Sequence, residues 1–414
     1  MTNSKNIRGD VNIAYLAPEI PALSATFVYQ EILELKNLGV NITPISIHRP
    51  TNKAQGDALN KLEQETYYLY EQSSISLLFH NLYIFLSSPI KYFSVFWMAI
   101  KDSFSIGLTT HAGKGVLYRF FIAAGLVKNL KTRHVSHIHS NFAHIPTDIA
   151  MYAASIQGIT FSFTSHANDL FERGWLLQEK VARSKFAVTI SKYNKEFLIG
   201  KGCDPLKINI IHCGVNTNSF SLKGSCELSN PPMIGALGRM VEKKGFDVLI
   251  KACKYLKNEG LTFSLQIAGG GPLSKELEGL AKSLNLSDSI HFIDSIPHKD
   301  VPNWIKSLDV FVLPCKKDNN GDMDGIPVVL MEAMLSGVPV ISSRISGIPE
   351  LVIDQVTGLL CEENDEASLA RKIKLVITDA GLKDGMCKRA VDKVKSEFEL
   401  RNNVNMLAEL LLNE

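Results

Sequence analysis

Short β-rich runs alternate with helix-patterned segments along most of the chain, as parallel βαβ units require. A first series of predicted strands lies at 11–16, 41–47, 134–140, 159–165, 186–191 and 208–213. A second series lies at 233–238, 262–269, 289–293, 309–314 and 338–343. Between them, residues 222–232 have the polar, proline-containing composition of a linker. We therefore predict an α/β protein with two doubly wound, Rossmann-like lobes divided near residue 225, and a ligand in the crevice outside the carboxyl ends of the strands.

Composition narrows the class of protein. The chain has 414 residues, of which 45% are hydrophobic and 21% charged, so it can bury two cores of ordinary size. Lys and Arg together number 44 and Asp and Glu 42, so no overall field favours a nucleic-acid partner. The seven cysteines are scattered without a C-x-x-C pair, which predicts reduced thiols, a cytosolic chain and no zinc site.

The first residues lack the charged head and long apolar stretch of a signal peptide, so we expect a cytoplasmic protein. The most membrane-like segment, 73–100, mixes aromatic residues and leucines with Ser, His, Asn and Pro, and Lys91 divides it. It is too interrupted to predict a membrane span. Two interpretations stay open: an amphipathic helical hairpin packed on a core, or a peripheral surface that contacts lipid at the inner face of the cell membrane.

Glu332 is the single charge in the apolar run that follows the acidic stretch GDMD at 321–324. Its neighbours are apolar on all sides, so its carboxylate is predicted to be buried. A buried carboxylate requires a partner, and the run itself offers no cation. Either a cation or backbone donor from elsewhere in the fold satisfies Glu332, or a ligand with hydroxyl donors does.

The acidic stretch resembles two kinds of metal site. Asp322 and Asp324 form a D-x-D pair. The residues from Asn320 to Gly325 also resemble the start of an EF-hand calcium loop, but the twelfth position of that loop, where a calcium-binding glutamate is expected, is Met331. Pro327 suits the first turn of a helix that Gly337 would end, which puts Asp324 in the preceding loop and Glu332 about two turns into the helix. This separation fits an extended ligand better than one ion, and no metal site is predicted.

Two further motifs follow predicted strands. The stretch ALGRMVEKKG at 236–245 carries Arg and two Lys, which form either a solvated basic loop or a holder for a diphosphate. The stretch IAGGGPLSKELEGL at 267–280 passes through three glycines into a helix that is predicted to hold Pro272 early in it. A dinucleotide fingerprint is disfavoured, since its third glycine is replaced by Ser274 and Pro272 removes an N–H donor.

These motifs together carry a family resemblance. GRMVEKKGFDVLI, IAGGGPL, DVFVLPC and DGIPVVLMEAMLSGVPVISSRISGIPELVIDQVTGLL, in this order and spacing, resemble the donor-binding half of the retaining glycosyltransferases of family 4. The resemblance implies the GT-B fold, with two Rossmann-like lobes facing a central cleft. It implies an acceptor-binding lobe at 1–224, a nucleotide-sugar donor lobe at 225–395, and a final helix at 396–414 that returns to the first lobe.

The resemblance also assigns roles in the donor lobe. Asp324 matches an acidic residue, usually Glu, that contacts the transferred sugar, and Glu332 matches one that contacts the ribose. Arg239 and Lys244 match the pair that holds the diphosphate, and 293–296 matches a stretch that meets the base. The implied donor-binding residues are Gly238, Arg239, Lys244, Gly270, Ile293, Ile296, Asp324, Gly325, Ile326, Pro327, Val328 and Glu332.

The first half of the chain resembles the family more loosely. FSFTSHANDLF at 161–171 is similar to the strand end whose histidine, here His166, lies near the reacting centre. PEIPALSATFVYQEI at 18–32 resembles the N-terminal signature of bacterial exopolysaccharide enzymes of this family, of the colanic-acid type, in which the first loop approaches the donor phosphates and the acceptor. In HIHSNFAHIPT, Asn141 stands where the family usually has a second histidine, so no chemistry is assigned there. The implied acceptor-side residues are Ser24, Thr26, Phe27 and Asn168, and the implied catalytic residues are His166, Arg239, Lys244 and Asp324.

The expected activity is retaining transfer of a hexose from a nucleotide sugar, UDP favoured and GDP the alternative, to a saccharide or lipid-linked saccharide in cell-surface polysaccharide synthesis. Preoriented cations stabilise the departing diphosphate, so neither a metal nor a cofactor is expected. A nucleotide-sugar epimerase or a phosphorylase would share the donor lobe. A non-catalytic nucleotide-sugar sensor would share it as well.

Overall fold

The computed structural model describes residues 11–22, 25–51, 56–223 and 228–413. The chain forms two compact units. The N-terminal unit comprises Met1–Ile190, Asn194–Ile211 and Asn403–Glu414, and the C-terminal unit comprises Ser191–Tyr193 and His212–Asn402. The division predicted between 224 and 225 lies outside the described residues.

The N-terminal unit is built on a parallel sheet. Its strands are β1 (Asn12–Glu19), β2 (Asn41–His48), β3 (Tyr67–Tyr68), β4 (Val135–Asn141), β5 (Thr160–Ser165), β6 (Ala187–Thr189) and β7 (Ile208–Ile210). Their order in the sheet is β3-β2-β1-β4-β5-β6-β7, so the direction of winding reverses between β1 and β4. All six strands predicted in this half are present. β3 was missed because two residues, paired with Ile45 and Ser46, carry no detectable period.

Helices cover both faces of this sheet. They are α1 (Thr26–Asn37), α2 (Asp57–Glu65), α3 (Ser74–Ser87), α4 (Pro89–Ile106), α5 (His111–Thr132), α6 (Ile145–Gln157), α7 (Asn168–Phe171), α8 (Leu177–Arg183) and α9 (Lys192–Gly200). Phe120 and Tyr152 from α5 and α6 are fully buried in the core, together with Phe163 from β5. None of the described helices is alone long and apolar enough to cross a membrane. Among the described helices, α3 and α4 together have the length and apolar composition of a span, but the chain bends by 118° between them.

The C-terminal unit repeats the architecture. Its strands are β8 (Met233–Leu237), β9 (Ser264–Ala268), β10 (Ile290–Ile293), β11 (Val310–Leu313), β12 (Val340–Ser343) and β13 (Leu359–Cys361). The sheet is parallel in the order β10-β9-β8-β11-β12-β13, so β8 and β11 flank the point where the winding reverses. All five strands predicted in this half are present, and β13 is an addition. The loops after β8 and β11 therefore start side by side.

The helices of this half are α10 (Phe246–Asn258), α11 (Ser274–Ser283), α12 (Val301–Lys306), α13 (Val328–Leu335), α14 (Ile348–Leu351), α15 (Glu366–Thr378), α16 (Ala380–Glu397) and α17 (Leu400–Leu412). From Asn403 onward, α17 is part of the N-terminal unit. The described cysteines, which exclude Cys226, are free thiols.

Two predicted helix starts were wrong. Pro327 has a helical φ of −62° but an extended ψ of 123°, so α13 begins one residue later and Glu332 lies just past its first turn, not its second. Pro272 precedes α11, which starts at Ser274. Gly337 follows α13 with a φ of 72°, as predicted for a residue that ends a helix.

Candidate functional site

An ion-pair cluster lies where β8 and β11 end. The loop after β8 contains a short 3₁₀ helix, Glu242–Lys244, which carries two lysines. Lys244 Nζ lies 2.6 Å from a carboxylate oxygen of Asp324, in the loop after β11. Lys243 Nζ lies 2.7 Å from Asp322 and 3.5 Å from Asp324. The structure thus brings together residues that the sequence assigned to separate roles.

The electrostatics of the cluster favour its charged state. Burial alone would raise the pKa of Asp324, but Lys244 and Lys243 lower it below its usual value. Burial alone would lower the pKa of Lys244, but Asp324 raises it. The Cys315 thiol donates to Asp324 at 3.5 Å, and burial raises its pKa well above the usual range. Asp324 is therefore an ionised acceptor surrounded by two ammonium groups and a neutral thiol.

The D-x-D carboxylates have lysines as partners. Asp318 stabilises the preceding loop, because its carboxylate accepts hydrogen bonds from the backbone N–H groups of Asn320 and Asp322, both at 2.9 Å. Among the described residues, no group of three or more His, Cys, Asp or Glu side chains is arranged to hold a metal ion. The interpretation of this loop as a diphosphate and sugar site thus rests on its cations.

The glycine-rich turn after β9 packs against the turn after β8. The backbone N–H of Met240 donates to the carbonyl oxygen of Gly270 at 2.9 Å. A Cβ on Gly269 would lie 2.2 Å from the Gly238 carbonyl oxygen, and one on Gly271 would lie 2.5 Å from the Met240 oxygen. These two glycines are thus required by close backbone packing. Gly270, the predicted donor-binding glycine, instead faces open space, with nothing within 4 Å of the Cβ position.

Arg239 and Gly238 complete this turn. Arg239 is exposed and forms no ion pair with a described residue, so its guanidinium is available to an anion. A Cβ on Gly238 would lie 3.4 Å from Cε of Lys244, so the Lys244 stem passes directly over the glycine. The predicted basic group therefore divides into one exposed arginine and two lysines that are already paired with carboxylates.

Glu332 is buried, as predicted, with 7% of its surface exposed. Burial raises the pKa of its carboxyl to about 7. The only described basic group paired with it is His298, whose Nε2 lies 3.8 Å from the carboxylate, beyond hydrogen-bond distance. Burial also lowers the pKa of His298, so this imidazole is a weak counter-charge near neutral pH. The described residues therefore supply Glu332 with no strong counter-charge.

The remaining donor-side predictions lie in two segments. Ile293 ends β10, and Ile296 follows in the loop that also carries His298, so the base-contacting stretch and the neighbour of Glu332 share one loop. Gly325, Ile326 and Pro327 are buried before α13, and Val328, its first residue, is half-buried. No side chain caps this helix, whose first-turn N–H groups have no intrahelical acceptor.

His166 follows β5 in the N-terminal unit. Its ring contacts those of Phe27 and Phe142 in tilted orientations, with centroids 4.7 Å from each. Its backbone N–H donates to Asp169 at 3.0 Å, and its carbonyl oxygen accepts from Asn194. Burial lowers the pKa of His166 to about 3, so the imidazole is neutral at physiological pH.

Asn141, which the sequence assigned no chemistry, contacts His166 directly. Its Oδ1 lies 2.7 Å from His166 Nε2, and its Nδ2 donates to the Tyr15 hydroxyl at 2.7 Å. Tyr15 in turn donates to Glu31 at 2.5 Å. The hydroxyl of Tyr15, which lies between apolar residues in the centre of β1, was the available signal, since a buried tyrosine usually has a hydrogen-bond partner.

The structure brings only some of the predicted acceptor-side residues close to His166. Phe27 contacts His166, and Thr26 precedes it as the first residue of α1. Asn168 donates to Glu172 along α7. Ser24 lies outside the described residues. No contact between these residues and an acceptor is described, so their role stays a prediction.

Comparison with known families agrees with the sequence motifs. The family model described as "Glycosyl transferases group 1" matches residues 223–394, and that described as "Glycosyltransferase Family 4" matches residues 105–219. The two matches cover about two thirds of the chain, and the predicted donor-binding residues all lie within the first. The chain is a glycosyltransferase with one region that matches each of these two family models.

Curated relatives of this glycosyltransferase include bacterial polysaccharide enzymes. It is 28% identical to the amylovoran biosynthesis glycosyltransferase AmsK of Erwinia amylovora, over 97% of this chain and 99% of AmsK. It is 35% identical to the putative colanic acid biosynthesis glycosyltransferase WcaL of Escherichia coli, over 60% of this chain and 59% of WcaL. A GDP-mannose-dependent mannosyltransferase of Mycolicibacterium smegmatis is 30% identical over 48% of this chain and 54% of that protein.

Solved structures support the fold of the glycosyltransferase. A glycosyltransferase from Rickettsia africae superposes with a TM-score of 0.69 and 18% identity over 98% of this chain and all of that chain. HepE of Anabaena, solved with UDP-glucose, gives a TM-score of 0.70 and 16% identity over 96% of this chain and 98% of HepE. The prediction of a GT-B fold is confirmed.

Proposed function

We propose that this glycosyltransferase moves a hexose from a nucleotide sugar to a saccharide or lipid-linked saccharide in exopolysaccharide synthesis. The observation that carries the proposal is the cluster of Lys244, Lys243 and Asp324 at the point where the winding of the C-terminal sheet reverses, beside the exposed Arg239. Ligands of open α/β sheets bind at such points. The names of AmsK and WcaL support the saccharide class of the product.

The proposed mechanism follows from the charges of this cluster. As the sugar–phosphate bond breaks, its electron pair goes to the leaving diphosphate, whose negative charge grows. Lys244 and Arg239 stabilise that charge more in the transition state than in the bound donor. Asp324, which neutralises Lys244 in the free protein, would then accept a hydrogen bond from a hydroxyl of the transferred sugar. These steps use no metal ion and no cofactor besides the donor.

We propose retention of the anomeric configuration, with the acceptor attacking on the face that the phosphate leaves. The family resemblance supports this course, and the one carboxylate proposed to contact the sugar, Asp324, is held by two lysines and is thus a poor nucleophile. Proton NMR of the first-formed product, recorded before it equilibrates, distinguishes retention from inversion.

Glu332 is proposed to bind the ribose hydroxyls, because it is buried with only a weak partner in His298. The nucleotide is proposed to be uridine diphosphate. Guanosine diphosphate is the alternative, since the mycobacterial relative is named as GDP-mannose-dependent. A thermal-shift screen against UDP-, GDP- and ADP-sugars tests the choice, because a ligand that binds only the folded state raises apparent stability.

Product analysis separates glycosyl transfer from its alternatives. With the selected donor and a panel of saccharide acceptors, the proposal predicts a glycosidic product and free nucleoside diphosphate. Release of an isomerised sugar nucleotide would indicate an epimerase, and a sugar phosphate would indicate a phosphorylase. Donor binding without turnover on any acceptor would indicate a sensor and contradict the proposed activity.

We further propose that α3 and α4 contact the membrane that carries a lipid-linked acceptor. Large apolar side chains at helical spacing face solvent along both helices: Ile75, Leu78, Phe79, Leu82, Tyr83, Leu86, Ile90, Phe93, Trp97 and Phe104. We call this set the apolar stripe. Exposed apolar patches of this extent are rare on soluble monomers, and the 118° bend is compatible with helices that lie on a bilayer.

Charge around the apolar stripe favours an anionic lipid surface as its partner. Lys91 and Lys101 are exposed on α4, and Lys128 of α5 lies 5.8 Å from the Tyr83 ring. Asp102, the one acidic residue of α3 and α4, is buried and ion-paired with Arg183 at 2.6 Å. The exposed charges of the two helices are therefore cationic, and cations near the surface add attraction to anionic headgroups.

Vesicle co-sedimentation tests this contact. The wild type should pellet with phosphatidylglycerol vesicles more than with phosphatidylcholine vesicles, and the triple variant Phe79→Ser/Ile90→Ser/Trp97→Ser should stay in solution. Leu206→Ser is the matched control, since Leu206 is 91% exposed in the same unit but outside the stripe. Failure of the wild type to pellet would contradict the proposal. A stable dimer in solution that the triple variant dissociates would instead make the stripe a contact between copies.

A further inference from the structure

Four side chains, from α1, β1, β4 and the loop after β5, form one hydrogen-bonded chain in the N-terminal unit. It runs from Glu31 of α1 through Tyr15 of β1 and Asn141 at the end of β4 to His166 after β5. The three heavy-atom separations are 2.5, 2.7 and 2.7 Å, and the first is shorter than a normal hydrogen bond. We propose that Glu31, acting through Tyr15 and Asn141, sets which ring nitrogen of His166 carries the proton.

The polarity of each link follows from the one before it. An ionised carboxylate only accepts hydrogen bonds, so the Tyr15 hydroxyl must donate to Glu31. The Tyr15 oxygen is then left to accept, and the NH₂ end of Asn141 faces it. This orients the Asn141 carbonyl oxygen towards His166, and an amide oxygen also only accepts. His166 must therefore carry its proton on Nε2.

The surroundings of His166 make this effect consequential. The imidazole is neutral, so it has one protonated and one unprotonated nitrogen, and the choice between them decides where it can accept a hydrogen bond. Phe27 and Phe142 contact the ring at an interplanar angle of 43°, and the backbone of His166 is held by Asp169 and Asn194. Asn141 Oδ1 is the partner described for Nε2 of this ring. Glu31 and Tyr15 are positioning residues in this scheme.

The carboxylate is needed because, without it, the donor and acceptor of every hydrogen bond in this series could be exchanged. If residue 31 could donate, its proton could go to the Tyr15 oxygen and the hydroxyl would point towards Asn141. A turned amide would then present its NH₂ group to His166, which would accept on Nε2 and carry its proton on Nδ1. Burial raises the pKa of Glu31 to about 7, while its hydrogen bond with Tyr15 lowers it, so the test is made at pH 8, where the carboxylate is ionised.

The test is two-bond ¹H–¹⁵N NMR of the protein labelled with ¹⁵N-histidine at pH 8, which separates protonated from unprotonated ring nitrogens. Loss of one ring spin system in His166→Asn assigns the residue. The wild type should show His166 protonated on Nε2 alone. Glu31→Gln, whose amide can either donate or accept, and Tyr15→Phe, which removes the link, should each shift His166 towards a mixture of both forms.

Glu34→Gln on the same helix is the matched control, because Glu34 accepts a hydrogen bond from Asn37, which is not one of the four linked residues from Glu31 to His166. It should leave the His166 signals unchanged. The inference is overturned if the wild type is protonated on Nδ1, if both test variants keep Nε2 protonation alone, or if the control shifts the signals equally. The readout does not depend on turnover, so a failed activity proposal and a failed tautomer proposal are distinguished.

Discussion

Lys244 Nζ lies 2.6 Å from a carboxylate oxygen of Asp324, and the two residues come from loops that follow neighbouring strands, β8 and β11. Both side chains are largely buried, with 16% and 14% of their surfaces exposed. Each charge therefore depends on the other for compensation. The pair also couples the residue proposed to hold the leaving diphosphate to the one proposed to contact the transferred sugar.

This coupling predicts a non-additive mutant cycle. Lys244→Met and Asp324→Asn should each lower the free energy of unfolding, because each leaves a buried charge without its main partner. The double variant should be destabilised by less than the sum, with a coupling energy of about 1–3 kcal/mol. Urea denaturation of the four proteins measures it. Additive losses would mean that the two charges do not interact in solution.

The kinetic role of Lys244 gives a second prediction. Lys244→Ala should reduce kcat by about 10²-fold while changing donor affinity much less, because the charge on the leaving group is largest in the transition state. The control is Lys251→Ala on α10, where the lysine is 44% exposed and paired with Asp247 at 3.7 Å. Steady-state kinetics with calorimetric donor binding separates the two effects. A raised KM with unchanged kcat would assign Lys244 to ground-state binding alone.

Independence from divalent cations is the third prediction. Activity should survive EDTA treatment, because Lys243 and Lys244 already occupy the carboxylates of the D-x-D pair and Arg239 adds a further cation. The assay compares turnover before and after chelation, with manganese added back. Loss on chelation and recovery with manganese would mean that Asp322 and Asp324 release their lysines to bind a metal.

Local sequence pattern was enough to predict the two sheets and the loops of the donor side. Buried parallel strands are short apolar runs, so all eleven predicted strands are present, whereas the two-residue β3 was not detectable. The Lys244–Asp324 pair was not predictable in the same way. The pair forms because β8 and β11 are neighbours in the sheet. Local sequence pattern does not predict which strands pair when they are far apart in the sequence.

The hydrogen bonds that link Glu31, Tyr15, Asn141 and His166 were even less predictable from local sequence pattern. Asn141 and Tyr15 are 126 positions apart, and Asn141 and His166 are 25 apart. Parallel pairing brings β1 and β4 together, and Tyr15 is in register with His139. Family resemblance directed attention to His166 but away from Asn141, because the expected histidine is missing there. Physical contact, and not residue type, identifies its partner.

The raised pKa of Glu332 gives a fourth prediction, on stability and pH. Its pKa is about 7 in the folded chain against a usual value of 4.5, so between these pH values the folded state holds a proton that the unfolded state has released. The free energy of unfolding must then fall as pH rises through this window. Glu332→Gln has no such titration. Its free energy of unfolding, relative to that of the wild type, should therefore rise by up to about 3 kcal/mol between pH 5 and pH 8.

Chemical denaturation at both pH values measures the difference. The exposed Glu278→Gln on α11 serves as the control and should track the wild type at both. If Glu332→Gln differs from the wild type by the same amount at pH 5 and pH 8, the carboxylate is not destabilised by burial. Its role as a residue that awaits a ligand donor would then lose its support.

The last prediction distinguishes the two carboxylates of the donor site by calorimetry. Glu332→Ala should weaken both the nucleoside diphosphate and the intact sugar nucleotide, because its proposed partner is the ribose that both contain. Loss of a charged acceptor from a hydroxyl costs about 1.5–3 kcal/mol, or about 10- to 150-fold in affinity. Asp324→Ala should instead leave nucleoside diphosphate affinity intact or raise it, because its removal frees Lys244 for the phosphates.

The intact donor should bind Asp324→Ala more weakly, since the sugar hydroxyl loses its acceptor, and discrimination between sugars that differ at one hydroxyl should fall. Both variants are compared with the wild type after thermal denaturation has shown that they are folded. Equal losses of nucleoside diphosphate affinity in the two variants would contradict the separate roles. A Glu332→Ala protein that is less stable but binds both ligands normally would make Glu332 a structural residue, held by His298 and its apolar surroundings.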